Sequence, residues 1–474
     1  MRRLLYIALL LFVACTQNPY PNIDNPSYGG GGTVTDQDII AYIDKRLVEE
    51  YYWLDEVEQK SDRFNRDVKW ENYLNGVLSM LETNTDDGYI NNKGQRAFYS
   101  YIRDITPSTR GAATGFGIGL HYTIALIDNE NKHYGFLVDK VYSESPAKAA
   151  DVRRGDVITM VDGSYITANN YAVLFNKINA NTASSIKLSL RRQTTGDSLS
   201  VELSRGTYSG SPVVHYEVIN IDNTKIGYIV YTGFESEYNE ELVAALQSFA
   251  MEGVQEVILD LRINGGGAVN SAVTLCSALM PATFEGATLC SIVRNKRNTK
   301  SEQVSSFNLE NTGSTLALER LTVIGSGYSA SASELVIMGL RGLDVPVTLI
   351  GSVTEGKNCG MDVTRRTIDG KTVEFAPITF MCFNAKGVGD WGEGIIPDID
   401  LTQEDNESGV SDKNYPLPRA DWGDYNHDIA LAVALAHVTG KSVTQPTRSD
   451  VSIDLSVAAT IERPVEGIRV YNED

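Results

Sequence analysis

The chain of 474 residues has little cysteine, little histidine and a deficit of positive charge. Its five cysteines show no CxxC spacing and its five histidines form no HExxH pair, so we predict neither a disulfide framework nor a metal site. Asp and Glu outnumber Lys and Arg by 61 to 41, which gives a formal net charge of -20. Because such a chain repels phosphate backbones, we expect no nucleic-acid partner.

The composition is otherwise that of a globular protein, with 42% hydrophobic and 22% charged residues. The length suggests roughly three domains. A disordered, collagenous or coiled-coil protein is therefore excluded.

The sequence begins with a targeting signal. Arg2 and Arg3 precede an apolar run from Leu4 to Ala14, which is too short to span a bilayer but is typical of a signal peptide. The run ends at Cys15, and Phe12-Val13-Ala14-Cys15 resembles a bacterial lipobox. We therefore predict a signal peptide over residues 1–14 and lipidation of Cys15. A lipid-anchored location in the bacterial cell envelope, on its periplasmic or cell-surface side, follows; an ordinary secreted signal peptide is the alternative.

Four regions follow a proline- and glycine-rich tether over residues 15–34. Apolar residues at helical spacing, such as Ile39, Ile43 and Leu47, predict a small helical domain. Short β-branched runs with turn signals predict strands in the next region. Strands then alternate with helices, which is typical of an α/β fold with a largely parallel sheet. The predicted regions are 35–105 (helical), 106–207 (strands), 208–400 (α/β) and 401–474 (one helix).

The strand-rich region resembles a PDZ domain. The resemblance rests on Gly115-Phe116-Gly117-Ile118-Gly119-Leu120, on Ser145-Pro146-Ala147-Lys148 and on Arg154-Gly155-Asp156. Independently of the name, alternate glycines can turn successive backbone N–H groups toward one carboxylate, although a tight turn would look the same. We predict that a peptide carboxylate binds at Phe116, Gly117, Ile118, Gly119 and Leu120.

Two strand-to-helix turns in the α/β region contain the candidate catalytic residues, because active sites in such folds lie at these turns. The first, Asn264-Gly265-Gly266-Gly267, offers N–H groups near a helix start. No P-loop lysine follows it, so we expect no nucleotide and no other cofactor. The second turn, Ser329-Ala330-Ser331-Ala332-Ser333-Glu334, places serines at a helix start, where a serine can also be a simple N-cap.

A lysine completes the pattern. Lys357 follows the next strand, flanked by Gly356, and could return to the serine turn. A Ser–Lys pair is a known variant of the serine hydrolase arrangement. Such a lysine must be neutral to accept the serine proton, so it must be buried.

These elements together resemble the C-terminal processing peptidases, or tail-specific proteases. The resemblance implies a Ser–Lys endopeptidase with a crotonase-like α/β core that cleaves polypeptides recognised near their free C-termini. It implies that Ser331 is the nucleophile, with Ser329 and Ser333 as competitors, and that Lys357 is the base. Glu334 supports the pair, and the N–H groups of Ala332 and of Gly266 or Gly267 form the oxyanion hole.

The sequence departs from the family pattern at one position. Many members of that family carry glutamine four residues after the lysine, and here that position is Met361.

Three alternatives to the Ser–Lys peptidase remain open. Rival catalytic patterns, an SxxK at Ser145–Lys148 or a triad using His427 or His437, are poorer matches. The non-enzyme alternative is an inactive envelope scaffold that binds peptides. The sequence leaves the oligomeric state open.

Overall fold

The computed structural model describes most of the chain. The described residues are 35–91, 94–105, 114–128, 133–180, 183–298, 302–310, 312–313, 315–368, 370–412 and 414–443, with the backbone of 456–459 and 468–471. The predicted signal peptide, Cys15 and the tether lie outside them. No helix within these ranges is long and apolar enough to cross a membrane. Nor do the ranges contain a group of three or more His, Cys, Asp or Glu side chains arranged to hold a metal ion.

The first region starts with helices and ends in short strands. Thr35 caps the first helix, and its hydroxyl and backbone N–H both donate to Asp38. The helices bury Ile39, Ile43 and Leu47, as their spacing predicts. The strands are absent from the sequence prediction. The elements are α1 Asp36–Glu50, α2 Leu54–Lys60, α3 Trp70–Ser79, β1 Gly88–Ile90, β2 Arg96–Phe98 and β3 Tyr101–Asp104.

The second region is rich in strands, as its β-branched runs predict. Most strands form one sheet in the order β10-β9-β7-β8-β6-β5, while β4 pairs with β11. Apolar side chains such as Phe136 and Leu188 fill its core. The elements are β4 Thr114–Gly117, β5 Leu120–Asp128, β6 His133–Val141, α4 Pro146–Ala149, β7 Asp156–Val161, β8 Ser164–Thr167, α5 Tyr171–Asn179, β9 Ser185–Arg192, β10 Ser198–Ser204 and β11 Gly206–Ser209.

The remainder alternates strands with helices and ends in two short strands. The elements are β12 Val213–Ile221, β13 Thr224–Tyr231, α6 Asn239–Glu252, β14 Glu256–Asp260, α7 Val269–Leu279, β15 Thr288–Arg294, β16 Glu302–Ser306, β17 Leu321–Gly325, α8 Ala332–Gly342, β18 Val347–Gly351, β19 Cys359–Ile368, β20 Lys371–Ala376, β21 Ile378–Asn384, β22 Ile399–Asp400, α9 Ile429–Thr439, β23 Ser456–Ala459 and β24 Ile468–Tyr471.

A largely parallel sheet forms the centre of the molecule. Its order is β12-β13-β14-β17-β18-β22, and every neighbouring pair except β12–β13 is parallel. Ile229 and Tyr231 face the core shared with α6, α7 and α8, whereas Tyr228 and Val230 face the core shared with α9. Because both faces of the sheet are covered by helices, the sequences of these strands are continuous hydrophobic runs. The structure confirms the mixed α/β class and the parallel sheet.

A second, mainly antiparallel sheet joins the first region to the centre. Its order is β16-β15-β21-β19-β20-β3, so β3 adds the end of the N-terminal region to strands from far along the chain. The helices α1 and α3 pack on this sheet in one apolar cluster with β19, β20 and β21. The segment that leads from β18 of the first sheet into β19 of the second carries Lys357.

Candidate active site

Ser331 has a backbone conformation that distinguishes it from the other serines of its turn. It lies directly before α8 with φ 62° and ψ -110°. A positive φ is uncommon for a residue with a side chain, and such strain is concentrated at functional sites. Ser331 is fully buried and lies at the positive end of the α8 dipole.

The neighbouring serines of the turn have structural hydrogen bonds. The Ser329 hydroxyl donates to the Leu261 carbonyl at 2.8 Å, and the Ser333 hydroxyl donates to the Asn264 carbonyl at 2.9 Å. Ser326 similarly donates to the Arg262 carbonyl at 2.6 Å. These serines therefore fasten their turn to the glycine turn that follows β14.

The glycine turn lies against the serine. A Cβ at Gly266 would lie 2.8 Å from the Ser331 Cβ and 3.0 Å from the Ala332 nitrogen, and one at Gly267 would overlap the Phe234 carbonyl. Asn264 shapes the turn, because its Oδ1 accepts from the Gly266 N–H at 2.9 Å. The structure thus brings together the two turns that the sequence selects.

Glu334 connects the serine to the lysine. Its Oε2 accepts from the backbone N–H of Ser331 at 2.7 Å and from that of Lys357 at 2.8 Å. Its Oε1 accepts from the Thr354 hydroxyl at 2.6 Å and from the Gly356 N–H at 2.8 Å. Burial raises the pKa of Glu334 to about 7, although these four hydrogen bonds favour the ionised carboxylate. One carboxylate therefore fixes the backbones of both candidate catalytic residues.

Lys357 is also fully buried, which favours a neutral amine. Its Nζ lies 4.2 Å from the centre of the Tyr99 ring. Tyr99 donates a hydrogen bond to Glu355 Oε1 at 2.9 Å. Tyr99 comes from the N-terminal region, and sequence reasoning did not find it because no local motif marks it.

Asp87 is a second N-terminal residue near the lysine that the sequence did not indicate. Its carboxylate accepts from the Tyr51 hydroxyl at 2.7 Å and from the Ser100 hydroxyl and N–H at 2.7 and 2.8 Å. Burial raises the pKa of Asp87 to about 6, although these bonds and the charge of Lys357 favour the ionised form. A buried carboxylate of this kind makes stability depend on pH.

We expect Asp87→Asn to change that dependence. The pKa of Asp87 is about 6 in the fold against an ordinary value of 3.8, so the folded chain holds this proton more tightly than the unfolded chain does. Its contribution to stability is therefore fully present below about pH 4 and is lost as the pH rises through about 6. Between pH 4 and pH 8, the free energy of unfolding of the wild type should fall by about 2.5 kcal/mol relative to Asp87→Asn. Urea unfolding of both proteins at the two pH values measures this, and a constant difference would contradict it.

A buried network of charges ties the strand-rich region to the glycine turn. Arg262 pairs with Asp260 at 2.6 Å and with Asp428 at 2.9 Å. Arg154, from the strand-rich region, donates to the Ala420 carbonyl at 2.7 Å and lies over the Trp422 ring. Because a lone buried charge is costly, these groups stabilise the junction only as a set.

The predicted carboxylate-binding residues lie in the strand-rich region, at the end of β4, in the two-residue connection that follows it and at the start of β5. Phe116 is 55% exposed, whereas Ile118 is packed in the core of its own region. Gly119 has φ 73°, and a side chain there would overlap Ser145. The packing of this loop therefore requires glycine at position 119, independently of the proposed binding of a carboxylate.

Comparisons with known proteins find similarity to serine peptidases. Residues 225–401 match the model of Peptidase family S41. A Staphylococcus saprophyticus protein named "Probable CtpA-like serine protease" is 20% identical over 403 residues, covering 84% of this chain and 74% of that protein. A carboxy-terminal-processing protease of Bartonella bacilliformis is 24% identical over 375 residues, covering 78% of this chain and 75% of that one. With three further Staphylococcus relatives, the match spans about half of their length.

A solved structure shares the fold. The crystal structure of a Bacteroides fragilis protein that carries the S41 protease name has a TM-score of 0.65 and 23% identity, and the match covers 84% of this chain and 97% of that chain. The matched family region contains both turns and Lys357. The chain is therefore similar to peptidase family S41 over residues 225–401, and these similarities support a serine-type peptidase.

Proposed function

We propose that the chain is an endopeptidase with a crotonase-like core, in which Ser331 is the nucleophile and Lys357 the general base. The observation that carries this proposal is the position of Glu334. One of its oxygens accepts from the backbone N–H groups of both Ser331 and Lys357. The two residues that the resemblance selects are thus held on a single carboxylate oxygen.

In this mechanism, the neutral Lys357 amine takes the proton of Ser331 as the hydroxyl oxygen attacks a peptide carbonyl. The Lys357 ammonium then gives that proton to the leaving amine, the C–N bond breaks, and an ester remains on Ser331. Water, deprotonated by Lys357, then attacks the ester carbonyl. The bond between that carbon and the Ser331 oxygen breaks, the carboxyl product leaves, and the Lys357 ammonium returns the proton to the serine oxygen. Burial of Lys357 disfavours the charged ammonium, which favours an amine that can accept the first proton.

The oxyanion hole that we propose uses the N–H groups of Ala332 and Gly267. Gly266 is the less suitable of the two glycines, because its N–H already donates to Asn264. A backbone donor at the start of α8 also benefits from the helix dipole. Gly266 has a steric role, since only glycine allows the turn to approach Ser331 this closely.

An inactive peptide-binding scaffold is the rival function. The strained serine, the buried lysine and the carboxylate between them favour the enzyme, because strain and buried ionisable groups destabilise a fold that has no use for them. Anchoring through a lipid on Cys15 and location in the bacterial envelope remain predictions that rest on the sequence before residue 16.

We propose further that residues 106–207 act as a PDZ-like domain that binds the substrate's C-terminal carboxylate at the Phe116–Leu120 loop. Main-chain hydrogen bonds between the peptide and β5, known as β-augmentation, would increase the binding affinity. Part of that edge is occupied in the structure, because Ser456, Val457 and Ala459 of β23 pair with Ile124–Leu126. A substrate would therefore use the part of β5 nearer the loop or displace β23.

Peptide pairs that differ only at the C-terminus test this recognition. A free-acid peptide with an apolar last residue should be cleaved at least about tenfold more efficiently than its amide at sub-saturating concentration, because charge-assisted hydrogen bonds to the carboxylate are lost in the amide. The measurement is kcat/KM, with binding to the Ser331→Ala protein as its control. Equal efficiencies would refute carboxylate recognition and favour a gating role for this region.

A further inference from the structure

Tyr99 covers the candidate general base from outside the matched family region. The Lys357 amine lies 4.2 Å from the centre of its ring, and both residues are buried. Tyr99 belongs to the N-terminal region, between β2 and β3, whereas the family match begins at residue 225. The environment of the lysine is therefore completed by a distant part of the chain.

The Tyr99 ring is fixed from several sides. It stacks on Tyr89 with 4.9 Å between the ring centres. Its backbone N–H donates to the Asp87 carbonyl at 2.8 Å. Its hydroxyl donates to Glu355, whose own N–H donates to the Ser329 carbonyl at 3.0 Å. Tyr99 is thus connected to the lysine segment and, through Glu355, to the serine turn.

Met361 cannot support the lysine by hydrogen bonding as a glutamine would, and Tyr99 can take this supporting role. Met361 occupies the position where many C-terminal processing peptidases carry glutamine, and it is fully buried in the apolar cluster beneath the N-terminal helices. A thioether is only a weak hydrogen-bond acceptor, so Met361 is a poor substitute for an amide beside an amine. An aromatic face, by contrast, attracts a cation.

We propose that Tyr99 is a positioning residue for Lys357, whose ring face orients the amine and stabilises the ammonium formed when Ser331 loses its proton. This inference rests on the proposed Ser–Lys mechanism. The charged or titratable groups that also face the lysine are Asp87 from the N-terminal region, Glu334 from α8, Cys359 from β19 and Glu355 from its own segment. None of these four groups is aromatic, so Tyr99 supplies the aromatic face that lies over the amine.

The test changes the ring electronics at constant shape. Tyr99→Phe keeps the ring and removes the bond to Glu355, whereas Tyr99→trifluorophenylalanine also weakens the negative face of the ring. Relative to Tyr99→Phe, the fluorinated variant should lose about tenfold in kcat at alkaline pH, where the lysine is neutral in both proteins, with KM changed less than twofold. Because its ammonium is less stable, the rise of activity with pH should begin about one pH unit lower. Tyr89→Leu, which alters only the packing behind the ring, should leave that midpoint unchanged.

A readout without catalysis separates this inference from the proposed function. The lysine side chains are labelled with ¹³C at Cε, and the Lys357 signal is identified by its loss in Lys357→Met. Its titration midpoint should fall in the order Tyr99→Phe, then the fluorinated variant. Identical midpoints in these two proteins would overturn the role of Tyr99, even if peptides are cleaved. A shifted midpoint in a protein that cleaves no peptide would refute the proposed function and leave the role of Tyr99 intact.

Discussion

Ser331→Ala should reduce peptide cleavage by at least about a thousandfold while the chain stays folded. The hydroxyl is the group that forms the acyl bond, and its removal leaves only the oxyanion donors and substrate binding. Ser331→Gly should be equally inactive but more stable than Ser331→Ala, by about 1 kcal/mol, because glycine accepts the positive φ without strain. Thermal unfolding and kcat/KM measured on both variants check the two statements.

The neighbouring serines provide matched controls. Ser329→Ala and Ser333→Ala each remove one of two donors to a backbone carbonyl, because Leu261 still accepts from the Asn264 N–H and Asn264 still accepts from the Ala330 N–H. We expect a stability loss of about 0.5–1.5 kcal/mol for each, with measurable activity retained. Activity that survives Ser331→Ala but not Ser329→Ala would show that the wrong serine has been assigned.

Lys357→Met should have a comparably large effect, again at least about a thousandfold in kcat/KM. Methionine has a similar length but cannot accept a proton. Because a buried amine is exchanged for an apolar group, the stability of the variant should be unchanged or higher. The residual activity should also lose the rise with pH that a lysine base produces.

The control for that variant is Lys386→Met, which removes an exposed lysine that pairs with Asp344 on the surface. It should retain wild-type activity, since exposed ion pairs contribute little. The comparison is made on kcat/KM between pH 6 and pH 10. A Lys357→Met protein that keeps the wild-type profile would exclude Lys357 as the base.

Much of the central fold follows from local sequence patterns. The alternation of apolar runs with helical periodicity predicts the alternating strands and helices around the parallel sheet. The glycine and serine turns are recognisable because they carry unusual residues directly after buried strands. Their meeting follows from the parallel sheet, in which the carboxyl ends of neighbouring strands lie at one edge.

The surroundings of Lys357 could not be predicted in the same way. Asp87 and Tyr99 reach it only because β3 pairs with β20, a strand far along the chain. Such a pairing leaves no local signal, since β3 is short and half-buried. The resemblance selects Glu334 as a supporting residue, but its spacing from Ser331 does not reveal the bonds to Thr354, Gly356 and Lys357.

The most direct test of the central claim is to identify the residue that carries the acyl group. The full chain is mixed with an activated ester of a peptide, quenched with acid within the turnover time, digested and analysed by mass spectrometry. We expect the acyl mass on the peptide that contains Ser331, and its absence in both Ser331→Ala and Lys357→Met. An acyl group on Ser329, Ser333 or any other residue, or cleavage of the ester with equal speed by Ser331→Ala, would contradict the account.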